Sequence, residues 1–422
     1  MELKAKMKVL IINSNDLRGG ASIAARRISN TLKLYYNVNQ LFVVGDKKGN
    51  DDQIICSRKN RVEKYIELFI HLFSSFWGLQ QQWFPFSKKR LLKIVKQFKP
   101  DLIHIHNTHG IDSFLPTVLI PELSKFCPIV WTLHDMWAFT GNAAHSKDTN
   151  WKILQQGKGD NLRYPQIMVN NGNWLLKQKK SIYEKSDITF VCPSMWLTNL
   201  SLQSPALNGK RIINIKNGID LTIFKPLDKI KLRKKFNIEG NERVILFLAN
   251  SLNDKQKGGE ELGDILSKVN KINPGNIVLV LIGGGKIKSL AKYSNFRIIQ
   301  LPYQQNEISV SEVYNIADVL IYPSKVDNLP FVLIEAIACG LPCISFDIGG
   351  CNEIIGDNFS GYLIPPFNTQ LFAERIVYCF DNPDLLEQFS ANGRIYAEQN
   401  FDINSCAENY YKLFQNTLSL RQ

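Results

Sequence analysis

The chain has 422 residues, enough for two or three domains at roughly 150 residues each. Hydrophobic residues make up 45% and charged residues 21%, a globular balance that argues against disorder. Lys and Arg exceed Asp and Glu by 51 to 38, and the net charge of +13 suggests an acidic partner: nucleic acid, an anionic membrane surface or a phosphorylated substrate.

The eight Cys form no CxxC pair, which argues against a disulfide framework or a structural zinc site and fits a reducing compartment. At the start, Met1–Lys8 leads into only four apolar residues, Val9–Ile12, too few for a secretory leader. No stretch reaches the ~18 apolar residues of a spanning helix.

In chain order, Val9-Leu10-Ile11-Ile12 is a short apolar run of the kind found in buried parallel strands. A loop to Gly20 and a helical pattern from Ala21 to Ile28 follow. Further strands are expected at Gln40–Gly45, Leu102–His106, Ile129–Leu133 and Ile188–Cys192. The second half repeats the rhythm at Val244–Leu248, Ile277–Ile282, Ile298–Leu301, Val319–Tyr322 and Cys343–Phe346. Strands alternating with helices imply an α/β chain of βαβ units. Ten strands exceed one ordinary core, so two doubly wound, Rossmann-like domains are expected, meeting near the turn-rich stretch Asn217–Pro226.

Residues 62–97 break the rhythm with Tyr65, Phe69, Phe73, Phe76, Trp77, Trp83, Phe84 and Phe86, bordered by Lys88-Lys89-Arg90. Two readings stand side by side: a patch lying in an anionic membrane interface, or a buried helix pair with a basic solvated face.

Arg18-Gly19-Gly20-Ala21 sits between strand and helix, where glycines let an anion approach free helix N–H groups. His104, His106 and His109 cluster, but no nearby Cys or carboxylate set completes a metal site. His104 and His106 read as packing residues, whereas His109 and His134 end near strand C-termini, where open α/β sheets bind ligands. After His134, Trp137 and Phe139 suit either sugar stacking or the core.

The richest segment is 317–363. Pro330 fits the first turn of a helix and Gly340-Leu341-Pro342 its end, with Asp327 in the loop before it and Glu335 about two turns inside. A carboxylate that accepts two hydroxyls is a natural clamp for a ribose diol. Gly349-Gly350-Cys351-Asn352-Glu353 follows the next strand.

This constellation resembles the GT-B retaining glycosyltransferases of family 4 (group 1), especially bacterial enzymes of surface-polysaccharide synthesis. The family pattern is an acidic residue, seven residues, then Glu, followed by Ala-x-Ala-x-Gly-x-Pro and Gly-Gly-x-x-Glu. Here it reads Asp327 to Glu335, Ala336–Pro342 and Gly349–Glu353. Gly19-Gly20, Thr132-Leu133-His134-Asp135, Asn217-Gly218-Ile219-Asp220 and Lys257-Gly258 follow in family order.

The resemblance implies two facing Rossmann-like domains, an acceptor domain of 1–216 and a donor domain of 217–404, with a helix in 405–422 crossing back to the first. Glu335 would hold the ribose of a nucleotide sugar (UDP-, GDP- or dTDP-linked). Asp327 with Asn328, Leu329, Pro330 and Phe331 would bind the donor sugar, and Lys257 with Gly19 and Gly20 the diphosphate. Tyr303 would face the base, and Ser251 stands where the family often has an Arg. His134 would sit near the reacting carbon, so His134, Asp327 and Lys257 are the expected catalytic set. His109, Asp135 and Trp137 would line the acceptor site.

No metal or other cofactor is expected, and no nucleic acid. The implied acceptor is a polyprenyl-diphosphate-linked glycan in capsule, exopolysaccharide or lipopolysaccharide synthesis. That would place the protein in the cytoplasm, peripheral on the inner face of the membrane. Two alternatives stand beside this: a nucleotide-sugar epimerase of the same architecture, against which the Asp327–Glu335 signature speaks, and a non-catalytic sugar-binding scaffold, which Asp327, one methylene shorter than the usual Glu, and Ser251 keep open.

Overall fold

The computed structural model describes residues 6–146, 169–273, 275–285, 296–302, 304 and 306–421. The chain divides into two compact units, Met1–Gly218 with Ile403–Gln422, and Ile219–Asp402.

Unit 1 runs through β1 (Lys8–Asn15), α1 (Gly19–Tyr36), β2 (Asn39–Asp46), β3 (Ile54–Cys56), α2 (Arg61–Phe76), α3 (Pro85–Phe98) and β4 (Leu102–Ile105). It continues with α4 (Ile120–Phe126), β5 (Ile129–Thr132), α5 (Gly172–Glu184), β6 (Ile188–Cys192), α6 (Met195–Leu202) and β7 (Arg211–Asn214). The strands pair in parallel in the order β3-β2-β1-β4-β5-β6-β7. Alternate residues of β1 feed two cores. Leu10 and Ile12 pack with Ile103, Ile105, Trp131 and Phe190, while Val9 and Ile11 pack with Ile28 and Leu32 of α1 and with Tyr410 and Phe414. Both faces of the sheet are therefore covered, as a parallel sheet requires.

Unit 2 comprises α7 (Lys229–Lys235), β8 (Arg243–Ser251), α8 (Gly259–Ile272), β9 (Ile277–Gly284), β10 (Phe296–Leu301) and α9 (Glu307–Ile316). Among the described residues β11 (Val319–Tyr322), α10 (Phe331–Ala338), β12 (Cys343–Phe346), β13 (Gly361–Ile364), α11 (Thr369–Asp381) and α12 (Pro383–Asn400) follow. Its parallel sheet has the order β10-β9-β8-β11-β12-β13. Ile245, Phe247, Ile321 and Phe346 meet Leu262 and Leu266 of α8 and Phe372 and Ile376 of α11. The last helix, α13 (Ile403–Ser419), belongs to unit 1, where Tyr411 stacks on Tyr36 at 4.5 Å and the Tyr410 hydroxyl lies 2.9 Å from that of Thr132.

The ten expected strands are present, and three more, β3, β7 and β13, were not anticipated. All three are sheet edges of three or four residues. Edge strands bury less and so lack the unbroken apolar run that marks a central parallel strand.

The segment 62–97 also departs from one of its readings. α3 buries Leu91, Ile94 and Val95 as a core helix should. α2 does the reverse, burying Glu67, His71, Ser74 and Ser75 and leaving Phe69 and Phe73 70% and 61% exposed. The buried-pair reading holds for α3 and fails for α2.

In each sheet the strand order reverses direction once, between β1 and β4 and between β8 and β11. Loops leaving the C-terminal ends of these neighbours run to opposite sides, opening a crevice where ligands settle. The sequence motifs lie on these loops.

Candidate functional site

At the β8/β11 crevice of unit 2, the chain after β8 makes a single tight turn, Lys255–Lys257, capped by the Asp254 carboxylate, which accepts the Gln256 N–H at 2.9 Å. Gly258 ends the turn at φ +81°, and a Cβ there would lie 2.0 Å from the Pro323 carbonyl oxygen. Only glycine allows the two loops to approach so closely. They are then stitched together: Lys325 N–H and the Ser324 hydroxyl both donate to Gln256 O, at 2.8 and 3.1 Å.

This brings the Lys257 ammonium to 2.5 Å from Asp327 Oδ2, and the Tyr322 hydroxyl donates to the same oxygen. Burial opposes the Lys257 charge, but the Asp327 carboxylate more than offsets it, so the lysine pKa is raised. Burial and then Asp327 push the Tyr322 phenol well above its usual value, keeping it a neutral donor. Asp327 Oδ1 accepts the N–H of Asn328 at 2.9 Å.

The Gly349-Gly350 pair shapes this loop from below. Gly349 has φ +55°, and a Cβ there would fall 1.8 Å from Asp327 O. The Gly350 N–H donates to Asn328 O at 2.7 Å. Asn328, Leu329 and Phe331 are buried. Pro330 is the cap just before α10 rather than a first-turn residue, and Glu335 is its fifth residue, little more than one turn inside. Glu335 is itself buried and accepts the Tyr314 hydroxyl at 3.0 Å.

Two expected donor residues stand apart. Ser251 ends β8 exposed, its carbonyl accepting the Asp254 N–H at 3.0 Å. Lys255, the nearest cation to that position, pairs with Glu260 at 3.0 Å on the surface. Tyr303 lies outside the described residues.

In unit 1, α1 begins at Gly19 with Arg18 extended, no side-chain cap and no acidic residue in its first turn. Its first N–H groups, those of Gly19 and Gly20 included, point out of the helix end with the positive pole of the dipole. The β1 loop is held by a polar net: Asn13 donates to Ser22 Oγ at 2.8 Å, Asn15 Oδ1 accepts the Arg18 N–H at 2.7 Å, and Asn13 Oδ1 accepts the Asn107 N–H at 3.0 Å.

Beside it, at the ends of β4 and β5, a small pocket is lined by His106, Thr108, His109, His134, Asp135 and Trp137. His106 Nδ1 and His134 Nε2 are 3.0 Å apart, and His109 Nε2 is 3.0 Å from Asp135 Oδ2. Burial lowers the His134 pKa to about 4, partly opposed by Asp135. Burial likewise takes His104 to about 3 and His106 well below its usual value, so the three rings are neutral. Burial alone would raise the Asp135 carboxyl, but His109 and the Trp137 N–H hold it at about 2.

Trp137 is 1% exposed and Phe139 fully buried, which settles their open reading in favour of the core. The Trp137 ring is stacked by His109 at 5.1 Å and approached by the Lys179 ammonium at 3.7 Å, so it backs the pocket and offers no free face to a sugar. Lys179 is buried and donates to the carbonyls of Trp137, Thr140 and Gly141 at 2.5, 3.0 and 3.2 Å, pinning the loop after His134.

Tyr322, Tyr314 and Lys179 were not anticipated. Tyr322 is readable afterwards as the residue before Pro323-Ser324. Lys179, one of several lysines on α5, carries no sequence signal.

With this geometry established, comparison with known proteins gives a consistent picture. Residues 228–396 match the family described as glycosyl transferases group 1, and residues 46–223 match glycosyltransferase family 4. N-acetyl-alpha-D-glucosaminyl L-malate synthase of Bacillus anthracis is 25% identical over 338 residues, 78% of either chain. The putative colanic acid biosynthesis glycosyl transferase WcaC of Escherichia coli is 22% identical over 83% of this chain and 85% of its own. Among solved structures, Anabaena Alr3699/HepE in complex with UDP and glucose superposes with a TM-score of 0.68 at 17% identity, covering 97% of this chain and 99% of that one.

Proposed function

The chain belongs to the group 1 glycosyltransferases of the GT-B fold, and we propose that it moves a sugar from a nucleotide-sugar donor, held by unit 2, to a lipid-carried glycan bound by unit 1. The transfer is read as retaining and metal-independent. The observation that carries this reading is the Lys257–Asp327–Tyr322 cluster set beside buried Glu335 at one sheet crevice.

The chemistry needs such a cluster. As the glycosidic bond breaks, negative charge grows on the departing nucleoside diphosphate. A fixed ammonium at Lys257 meets that charge without reorganising, and without a metal ion. Asp327 would accept hydroxyls of the donor sugar and Glu335 those of the ribose. The N–H groups of Gly19 and Gly20 would meet an anion at the head of α1. His134, neutral and on the rim of the unit 1 pocket, would face the reacting sugar. Attack on the donor's front face needs orientation rather than a protein nucleophile, and none is assigned.

HepE's complex with UDP and glucose supports a nucleotide-sugar donor, and the likeness to WcaC supports a polysaccharide pathway. A polyprenyl-diphosphate acceptor would hold the enzyme at the inner face of the cytoplasmic membrane.

A thermal-shift screen over UDP-, GDP- and dTDP-sugars tests the donor, because a ligand that binds only the native state raises the melting temperature. One base should stabilise the protein, and Glu335→Ala should abolish the shift. A full shift in that variant overturns the ribose assignment. Acceptor-dependent transfer distinguishes the reading from epimerisation, which needs no acceptor, and from a scaffold, which turns over nothing.

A further inference from the structure

Helix α2 is built inside out. Toward the unit it turns Glu67, His71, Ser74 and Ser75. Toward solvent it turns Tyr65, Ile66, Phe69, Leu72, Phe73 and Phe76, spaced three and four apart as one continuous stripe. Trp77 and Trp83 extend the stripe beyond the helix end, 48% and 53% exposed.

The orientation is locked from the polar side. Arg58 and Glu67 form an ion pair at 2.8 Å with side chains 3% and 0% exposed. Glu67 also accepts the Ser87 N–H at 2.8 Å and the Ser87 hydroxyl at 2.5 Å. The Arg58 guanidinium goes on to the carbonyls of Gly45 and Ser113, at 2.9 and 2.5 Å. Rolling the helix over to hide its aromatic side would break this buried pair and strand both charges, a strongly unfavourable step. The stripe is therefore held outward, and so large an apolar surface marks a contact site.

The surrounding charge identifies the contact. From Arg58 to Lys99 there are ten basic and two acidic residues, and the buried Arg58–Glu67 pair removes one of each, leaving nine basic against one acidic. Lys59, Arg61, Lys88 and Lys89 stand exposed around the stripe. Two copies of this face would repel each other, whereas an anionic phospholipid surface complements it. Tryptophans at the margin suit the headgroup level, where an amphipathic ring has one end apolar and the other wet. Among the described residues no helix is long and apolar enough to cross a membrane. We propose that α2 seats in the interface of an anionic bilayer, with Phe69, Phe73 and Trp77 toward the acyl chains and the Arg58–Glu67 pair fastening it to unit 1. This rests on the lipid-carried acceptor reading only for what the membrane presents to the enzyme.

The test is co-sedimentation of the full chain with phosphatidylcholine vesicles, with and without phosphatidylglycerol. Binding is expected to the anionic vesicles and to fall as salt is raised. The triple variant Phe69→Ser, Phe73→Ser, Trp77→Ser should bind about tenfold more weakly or worse, since each loses buried methylene-equivalents. Its melting temperature should match the parent's, because the side chains are exposed. Lys88→Glu with Lys89→Glu should weaken binding to anionic vesicles alone. Unchanged binding by the triple variant, or no binding by the parent, overturns the proposal. So does a concentration-dependent dimer that the triple variant makes monomeric, which would give the stripe to a second copy. The nucleotide-sugar thermal shift should persist in the triple variant, so loss of vesicle binding and loss of donor binding remain separate results.

Discussion

The hydroxyl of Tyr322 donates to Oδ2 of Asp327, the same oxygen that the Lys257 ammonium reaches at 2.5 Å. Both partners orient one carboxylate, and the carboxylate in turn keeps the lysine charged. Tyr322→Phe should leave the protein folded and reduce kcat/KM for the nucleotide sugar about tenfold, the equivalent of one ordinary hydrogen bond to a charged group. Lys257→Ala should reduce kcat by about a hundredfold or more, the size expected for losing a group that meets developing charge. Steady-state kinetics with both variants checks this. A Tyr322→Phe enzyme of full activity would show that the hydroxyl does not position the carboxylate.

The glycines divide by what surrounds them. Gly19 has φ +81°, and a Cβ placed there would meet nothing within 4 Å, whereas Gly349 has φ +55° and a Cβ there would meet the Asp327 oxygen at 1.8 Å. Gly19→Ala should cost about 1 kcal/mol of backbone strain. Gly349→Ala should cost about 1–3 kcal/mol in strain alone and must also displace the Asp327 loop. Urea unfolding measures both differences, and the KM for the nucleotide sugar should rise in the second variant as the Asp327 loop is displaced.

Acid should weaken the fold through its buried imidazoles. His71 and His134 have pKa values lowered to about 4 and His104 to about 3, from 6.5, in each case chiefly by burial. Between these values and 6.5 the unfolded chain binds more protons than the native one, so stability rises with pH across that window and is lost as pH falls through it. Melting temperature should be level above about pH 6.5 and decline steadily toward pH 4. His71→Asn should flatten part of that decline.

Lys179 holds three carbonyls of the loop that follows His134. Lys179→Met keeps the bulk and the contact with Trp137 but leaves those acceptors buried without their donor, at about 1–3 kcal/mol for an unsatisfied group. The variant should melt lower, and its hydrogen exchange should quicken from Asp135 to Gly141 while unit 2 is unaffected.

The Asp327–Glu335 motif was legible because it is local. Asp327, Asn328 and Glu335 lie within one loop and helix, and the glycines that shape the loop stand at fixed offsets from them. The tyrosines were not legible. Tyr314 meets Glu335 across 21 residues and Tyr322 meets Asp327 across a sharp loop, and a hydroxyl announces no partner in sequence. Helix α2 shows a different limit. Its sequence showed an aromatic segment bordered by basic residues, but composition does not say which side of a helix turns inward. The deciding feature is Arg58, outside the helix, which claims Glu67. The edge strands β3, β7 and β13 escaped because each carries only two or three apolar residues and is paired on one side alone.

Helix α13 packs Tyr410, Leu413 and Phe414 into the same core as Val9, Ile11 and Leu32, yet it is translated after every residue of unit 2. The ribosome thus completes the second unit while the first still shows an open flank. Folding of the first unit closes last, and a premature stop before Ile403 would release a chain whose earliest-made half is the one left unfinished.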